Sequence, residues 1–151
     1  MKTVSKYTIS IIFVAILCIL VVNGNTELLA ESSKSAKDKQ AWVSKGDTLN
    51  RMGNFSQAIT AYDMALKIEP NYVNALDGKG WSLNELGNYT QAIVYLDKAL
   101  KIDPNHLDGL VFKAQALYNI GNYTGAKYYF DKAFEIDPGS AALKRLIESP
   151  R

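Results

Sequence analysis

Two kinds of hydrophobic pattern divide the chain. Residues 11–22 form an unbroken apolar run, IIFVAILCILVV, whereas from Lys39 onward apolar residues recur at intervals of three and four. The second pattern predicts amphipathic helices, because residues three and four apart lie on one face of an α-helix. Between the two patterns, residues 25–38 are small and polar without a sustained apolar period, which predicts a flexible linker.

The helical pattern repeats every 34 residues. A glycine, two alanines and a proline keep this period across three copies. They are Gly53, Gly87 and Gly121; Ala58, Ala92 and Ala126; Ala65, Ala99 and Ala133; and Pro70, Pro104 and Pro138. A fixed period of this length indicates a repeat architecture in which each copy is one supersecondary unit.

Each copy is predicted to fold as two antiparallel helices joined by a tight turn. In the second copy one apolar stripe precedes Gly87 and another follows it. The glycine is expected to end the first helix in the left-handed conformation, which it adopts at no steric cost. Ser56, Thr90 or Thr124 then caps the second helix of its copy. The proline ends that helix, since it lacks an amide and disfavours a helical residue before it.

The motif in each copy resembles the tetratricopeptide repeat, a helix–turn–helix unit of 34 residues. The first copy reads Trp42-x2-Lys45-Gly46-x2-Leu49, followed by Ala58-x3-Tyr62, Ala65 and Pro70, where the family has Trp-x2-Leu-Gly-x2-Tyr, then Ala-x3-Phe, then Pro. In all three copies a lysine stands in place of the family's leucine, at Lys45, Lys79 and Lys113. The stems of these lysines are expected to lie along apolar surface with their amines in solvent.

The resemblance implies an all-α fold, a right-handed α-solenoid of three tetratricopeptide repeats. The repeats are residues 39–72, 73–106 and 107–140. Residues 141–151 are predicted to supply a C-terminal capping helix and tail, since a stack of helix pairs otherwise leaves its last apolar face bare. Three repeats are about the minimum for a stable solenoid.

Residues 1–24 are predicted to be a signal peptide or a membrane anchor. Two lysines precede the apolar run, whose twelve residues would rise about 18 Å as a helix, short of the roughly 30 Å of a bilayer core. Removal by cleavage, retention as an anchor and lipid modification at Cys18 stay open as alternatives. Each places the rest of the chain outside the cytoplasm, secreted or membrane-anchored, with membrane contact only through an uncleaved N-terminal segment.

Composition argues against several classes of function. Lys2 and Lys6 account for the formal net charge of +2, so the remainder is neutral and lacks the field that attracts nucleic acid. A single cysteine excludes an intrachain disulfide and a thiolate zinc cluster. His106, the single histidine, is expected at a loop or first-turn surface position. Without a paired carboxylate set, a phosphate loop or metal-ligand spacing, we predict no catalytic residue, no cofactor and no metal.

In the tetratricopeptide family the first helices of successive repeats line a concave groove that receives an extended peptide or a partner helix. The resemblance places these residues there: Val43, Asp47, Asn50, Asp77, Trp81, Asn84, Glu85, Val111, Gln115, Tyr118 and Asn119. Trp81 is either a binding anchor or a contact in the core or between repeats, because Leu76 occupies the family's packing tryptophan position. Val43 and Asp47 cannot donate to a carboxylate, so a chaperone C-terminus is not expected as ligand, and a peptide with apolar and basic side chains is.

Two functions are compatible with these residues. The first is a non-enzymatic module that binds a peptide or partner protein in the groove. The alternative is a self-associating structural or assembly scaffold of an envelope complex, a homo-oligomer paired through Tyr95, Tyr128 and Tyr129. If the chain is exported, three sequons in the turns are possible N-glycosylation sites, at Asn54, Asn88 and Asn122.

Overall fold

The computed structural model describes residues 33–139, which form six helices and no strand. Within these residues, α1 spans 33–51. The others are α2 (Phe55–Ile68), α3 (Val73–Glu85), α4 (Tyr89–Ile102), α5 (Leu107–Asn119) and α6 (Tyr123–Ile136). The predicted signal or anchor segment and the predicted capping helix lie outside the described residues. None of the described helices is long and apolar enough to cross a membrane.

The predicted linker at residues 25–38 differs from the structure over residues 33–38, which are helical. All six side chains of this stretch are exposed, so no buried stripe marks it as helix in the sequence. A helix that has already nucleated gains one backbone hydrogen bond for each residue added, and it can therefore extend through polar residues without tertiary packing. Residues 25–32 lie outside the described part of the chain.

The turns within the helix pairs confirm the role predicted for glycine. Gly53, Gly87 and Gly121 have φ angles of 75°, 78° and 83°. The backbone amide of the asparagine after each glycine donates to the backbone carbonyl five residues earlier in the chain, as from Asn54 to Leu49 at 2.9 Å. This bond is the Schellman motif, which satisfies a carbonyl at the end of the first helix and reverses the chain.

The predicted N-caps of the second helices are wrong. The N-cap residue is the asparagine of each turn, two positions earlier than Ser56, Thr90 and Thr124. The Schellman turn is so short that the next helix begins directly after the asparagine, which puts the predicted hydroxyl residues inside the first helical turn. The Asn122 side chain accepts from the amide of Gly125 at 3.0 Å, while α2 and α4 have no side-chain cap bond.

Each second helix ends where the proline predicts. The C-cap residues Glu69 and Asp103, which stand directly before their prolines, have extended backbone conformations. This is the conformation that a following proline favours, because its ring clashes with a helical residue before it.

Small residues allow the helices to approach each other closely. Tyr62 is fully buried, and its ring lies against Gly46 of α1 and Gly78 of α3. A Cβ added at Gly46 would lie 2.5 Å from this ring, and a Cβ added at Gly80 would lie 2.6 Å from Leu96. Both separations are below any real carbon contact, so glycine at these positions is a requirement of packing.

The prediction that the repeated lysines keep their amines in solvent is wrong for Lys79. The Lys79 amine donates to Asp63 of α2 at 2.6 Å and to the Tyr95 hydroxyl of α4 at 2.9 Å. It also lies 4.1 Å from the centre of the Tyr95 ring, within range of a cation–π interaction. Lys45 is exposed, with its amine 5.0 Å from the centre of the Trp42 ring.

Lys113 makes the same contacts one repeat later. Its amine pairs with Asp97, donates to the Tyr129 hydroxyl and lies 3.9 Å from the centre of that ring. The contacts of each lysine join the second helix of one repeat to both helices of the next repeat. The lysines therefore connect neighbouring repeats through an ion pair and an aromatic ring.

These contacts predict a loss of stability at alkaline pH. Burial alone would lower the pKa of Lys79 and Lys113, but hydrogen bonds to their aspartate and tyrosine partners outweigh it and raise both pKa values. Burial, followed by the hydrogen bond to Asp47, raises the pKa of Tyr62. The folded chain thus holds these protons more tightly than the unfolded chain, so this contribution is complete below the unfolded pKa values of about 10 and is lost at higher pH.

We expect the free energy of unfolding, measured by urea denaturation, to fall as the pH rises from about 9 to about 11. The double variant Lys79→Met and Lys113→Met keeps the apolar stems and should show a shallower decrease. An identical pH dependence in the two proteins would contradict the proposed contribution of the lysines.

Candidate functional site

The first helices of the repeats form the inner layer of the stack. α3 packs directly against α5, whereas no comparable contact joins α2 with α4 or α4 with α6 among the described helices. Neighbouring first helices are therefore closer together than neighbouring second helices, which curves the stack toward the first helices. The exposed side of this layer is the concave face, where the resemblance places a groove.

The predicted groove residues fall into three groups by exposure. The buried group is Val43, Asn50, Asp77, Asn84 and Val111. The partly exposed group is Asp47, Trp81, Gln115 and Tyr118. The exposed residues are Glu85 and Asn119. The second and third groups offer surface to a ligand, and the buried group packs within and between the repeats.

A chain of polar side chains holds the first three helices together. The Tyr62 hydroxyl donates to Asp47 at 2.8 Å, and the Asn50 amide donates to the Tyr62 hydroxyl at 3.0 Å. The Ser82 hydroxyl of α3 donates to the side-chain oxygen Oδ1 of Asn50 at 2.8 Å. Buried polar groups that are paired in this way specify one arrangement of the helices, since an unpaired group would be costly. Asp47 and Asn50 therefore have structural partners as well as a position on the inner layer.

Trp81 contacts the next repeat, and part of its side chain stays exposed to solvent. Its ring stacks on Phe112 of α5 with centres 5.6 Å apart and planes 7° apart. Its indole nitrogen donates to Glu85 at 3.3 Å. Next to it in the interface, the Asn84 amide donates to the Phe112 carbonyl at 2.8 Å. The contact between repeats is thus present, and the partial exposure of the indole leaves it accessible as an anchor.

A second aromatic pair joins the end of α5 to the start of α6. The rings of Tyr118 and Tyr123 meet edge to face, with centres 5.2 Å apart. Tyr118 is partly exposed and Tyr123 is exposed. On the inner layer, Trp81 of α3 and Tyr118 of α5 therefore each expose part of an aromatic ring, a residue type enriched at binding surfaces.

His106 lies at the start of a helix as predicted, and its side chain is partly exposed. It is the N-cap residue of α5, and only 22% of its side chain is exposed. Its Nε2 lies 3.7 Å from Oδ2 of Asp77, and its Nδ1 lies 3.9 Å from Oδ2 of Asp103. Burial raises the pKa of Asp77, and the facing Asp77 carboxylate raises the pKa of His106.

Asp108 completes a cluster that sequence reasoning missed. One ligand-type atom from each of Asp77, His106 and Asp108 lies within 4.8 Å of the other two. Asp77 belongs to the second repeat and Asp108 to the third, so no local spacing in the sequence indicates that they meet. The cluster exists because α3 and α5 are packed side by side.

The three sequon asparagines lie in exposed turns, as predicted. In the third turn, the side-chain oxygen Oδ1 of Asn122 accepts the capping bond from the Gly125 amide, so that bond does not use the side-chain nitrogen to which a glycan would attach. Glycosylation of Asn54, Asn88 and Asn122 stays a prediction.

The geometry defines a class of protein, the α-helical repeat proteins, in which hairpins stack on their neighbours. Two family models described as tetratricopeptide repeat match the sequence, one over residues 40–72 and the other over residues 83–148. The chain contains tetratricopeptide repeats. The predicted all-α solenoid fold is confirmed.

Solved structures share this fold. The Sgt2 tetratricopeptide domain from Aspergillus fumigatus is 25% identical, with 74% of this chain and 75% of that chain covered and a TM-score of 0.69. The TPR2B domain of yeast Sti1, in a complex with pHsp70, is 23% identical, with 74% and 94% covered and a TM-score of 0.66. The first repeat domain of Spaghetti (RPAP3), bound to the HSP90 peptide SRMEEVD, is 13% identical, with 74% and 89% covered and a TM-score of 0.69. Curated proteins give no match.

Proposed function

We propose that the protein is a non-enzymatic interaction module that binds a peptide or a segment of a partner protein on its concave face, outside the cytoplasmic membrane. Tetratricopeptide repeats are generally interaction modules without catalytic activity, and two of the similar domains hold ligands, the HSP90 peptide and pHsp70. The observation that carries the proposal is the partly exposed indole of Trp81 on the inner helix layer.

Charge on this face favours a different ligand from a carboxylate terminus. Val43 is buried and Asp47 is acidic, so neither can donate to a carboxylate. Glu85 is exposed beside Trp81. An aromatic ring next to acidic groups suits apolar and basic side chains, because complementary charge selects the partner and the ring supplies apolar contact area. The proposed ligand is therefore an extended segment that contains both kinds of side chain.

Peptide-array binding tests this proposal. The protein should retain peptides with basic and apolar residues, and Trp81→Ala should weaken the best of them by about 30-fold, the effect of losing a hot-spot side chain. Tyr128→Ala is the matched control, since Tyr128 is an exposed aromatic residue on the second-helix layer. It should leave the affinity unchanged.

Trp81→Phe separates binding from packing, because a phenyl ring preserves part of the stack on Phe112. It should show the wild-type unfolding midpoint within a few degrees and an affinity between those of wild type and Trp81→Ala. A preference for acidic peptides, or equal affinities of Trp81→Ala and Tyr128→Ala, would contradict the proposed peptide binding on the concave face.

The proposed location rests on the charged start and apolar run of residues 1–24. Protease added to intact cells should degrade the repeats if they lie outside the membrane, and should leave a cytoplasmic marker intact. Protection of both proteins in cells whose outer envelope layers have been removed, so that protease reaches the cytoplasmic membrane, would refute the extracytoplasmic location.

Self-association through second-helix tyrosines is the alternative proposal. The hydroxyls of Tyr95 and Tyr129 receive hydrogen bonds from Lys79 and Lys113. Tyr128 is 58% exposed and is the member of the set with the most free surface. Light scattering at several concentrations separates the two functions: a monomer supports the interaction module, and a discrete oligomer abolished by Tyr128→Ala supports the scaffold.

A further inference from the structure

A buried carboxylate oxygen at the junction of the second and third repeats has no partner. Asp77 is 6% exposed, and its Oδ1 accepts no hydrogen bond within the described residues. Buried carboxylates are normally paired, hydrogen-bonded or bound to a metal, because desolvation of an isolated charge is costly. His106 faces the other oxygen of this carboxylate, Oδ2, so Oδ1 is the oxygen left to accept a hydrogen bond or to bind a cation.

The space beside this oxygen is kept open by a glycine. A Cβ built on Gly109 of α5 would lie 3.3 Å from Oδ1 of Asp77 and 3.3 Å from the His106 ring. The missing side chain thus leaves room at the place where the Asp77 carboxylate and the imidazole face each other. Asp108, directly before Gly109, carries an exposed carboxylate in the first turn of α5.

The His106 ring has a carboxylate near each of its two nitrogens. Its Nε2 faces the Asp77 carboxylate, and its Nδ1 faces the Asp103 carboxylate at 3.9 Å. A carboxylate on the far ring nitrogen fixes the orientation and tautomer of histidines that bind metals. Within the described residues, His106 is the only ion-pair partner of Asp77 and of Asp103. With Asp108 nearby, three carboxylates lie around one imidazole. A divalent cation would neutralise this excess of negative charge.

We propose that Asp77, His106 and Asp108 bind one divalent transition-metal cation of the Zn²⁺ class. Ligand atoms at about 2.1 Å from zinc lie about 3.4 Å from each other in a tetrahedral site. The His106–Asp77 separation of 3.7 Å is near this value. The ligand atoms of all three residues lie within 4.8 Å of one another, and Asp108, whose side chain is exposed, would complete the site. One nitrogen and two oxygen ligands favour zinc over Mg²⁺ and Ca²⁺, which prefer oxygen.

Three protein ligands leave a fourth position for water or for a group of another molecule. The cation would join α3, which carries Asp77, to the start of α5, which carries the other two ligands. It would therefore stabilise the junction between repeats, an effect separate from the peptide binding proposed above.

Isothermal titration calorimetry of the full-length chain, purified without a polyhistidine tag, tests the site with Zn²⁺ alone. We expect one Zn²⁺ per chain and a higher unfolding midpoint when Zn²⁺ is present, because a ligand that binds only the folded state stabilises it. His106→Gln and Asp77→Asn should abolish the 1:1 binding. Asp103→Asn, which removes the orienting carboxylate, should weaken it by about 10-fold to 100-fold.

Asp108→Asn keeps the proposal testable if the buried variants fail to fold, because its side chain is exposed. It should weaken Zn²⁺ binding by at least about 100-fold, which is more than the loss expected from removing the orienting carboxylate of Asp103. Asp131→Asn changes an exposed residue that pairs with Lys127 and is outside the cluster, so it should have no effect. Cys18→Ser controls for a thiolate ligand and should also leave binding unchanged. The absence of 1:1 binding, an unaffected Asp108→Asn variant, or loss of binding in Cys18→Ser would overturn the site.

Discussion

Replacement of Tyr62 by alanine is expected to lower the free energy of unfolding by about 3–5 kcal/mol, the cost typical of truncating a buried aromatic side chain. Tyr62 has no exposed surface, and its ring fills the space between Gly46 and Gly78. Those two glycines lie on helices of different repeats, so the cavity would open at the first junction between repeats. A domain of this size has a total stability of about 5–15 kcal/mol, so the loss is a large part of it.

Tyr62→Phe separates the contribution of the ring from that of the hydroxyl. It should cost about 1–3 kcal/mol, because Asp47 and Asn50 lose their hydrogen-bond partner while the ring stays in place. Tyr128→Ala is the matched surface control and should change the stability by about 0.5 kcal/mol or less. Urea denaturation followed by circular dichroism measures all three. Equal losses in Tyr62→Ala and Tyr128→Ala would show that Tyr62 is not the centre of the first core cluster.

Leu96→Ala is expected to cost about 2–5 kcal/mol, because Leu96 is fully buried in the second core cluster. Leu96 lies against Gly80 of the helix paired with its own, at a distance that excludes a Cβ. Gly80→Ala alone should therefore destabilise by about 1–3 kcal/mol through overpacking, although alanine is the better helix former. Leu86→Ala, at an exposed position at the end of α3, is the matched leucine control and should cost far less.

The double variant Gly80→Ala with Leu96→Ala gives the decisive measurement. The cavity left by Leu96 has room for the new methyl group, so the double variant should lose less stability than the sum of the two single losses. Both probes of unfolding, fluorescence of Trp42 and Trp81 and circular dichroism, should report the same energies. Strict additivity would mean that Gly80 and Leu96 do not share a contact.

The turns and the boundaries of the repeats were predictable because their causes are local. The left-handed glycines, the short reversals and the helix ends before proline depend on the conformational limits of single residues. The N-caps were misplaced by two residues because the tightness of the Schellman turn, and not the identity of the hydroxyl residue, decides where the next helix begins. The helical residues 33–38 were missed because an extension without buried side chains carries no hydrophobic period.

The candidate site was predictable only at the level of which helices form it. The 34-residue period assigns Trp81 to the inner layer, but its stack on Phe112 depends on how α5 lies against α3. In the same way, the period reveals that Lys79 and Lys113 are equivalent, but the partners Asp63 and Asp97 come from the preceding repeat. A lysine pattern by itself is equally compatible with a solvated amine and with a paired one.

The amino-acid sequence by itself determined the repeat length, the number of copies, the helix pairs and the family resemblance, since these follow from periodicity and from single-residue preferences. Tertiary structure alone decided which inner-layer residues are buried, how the lysines are paired, and that Asp77, His106 and Asp108 converge. The physical reason is that burial and ion pairing depend on the distance between side chains on different helices, and packing of neighbouring repeats sets that distance.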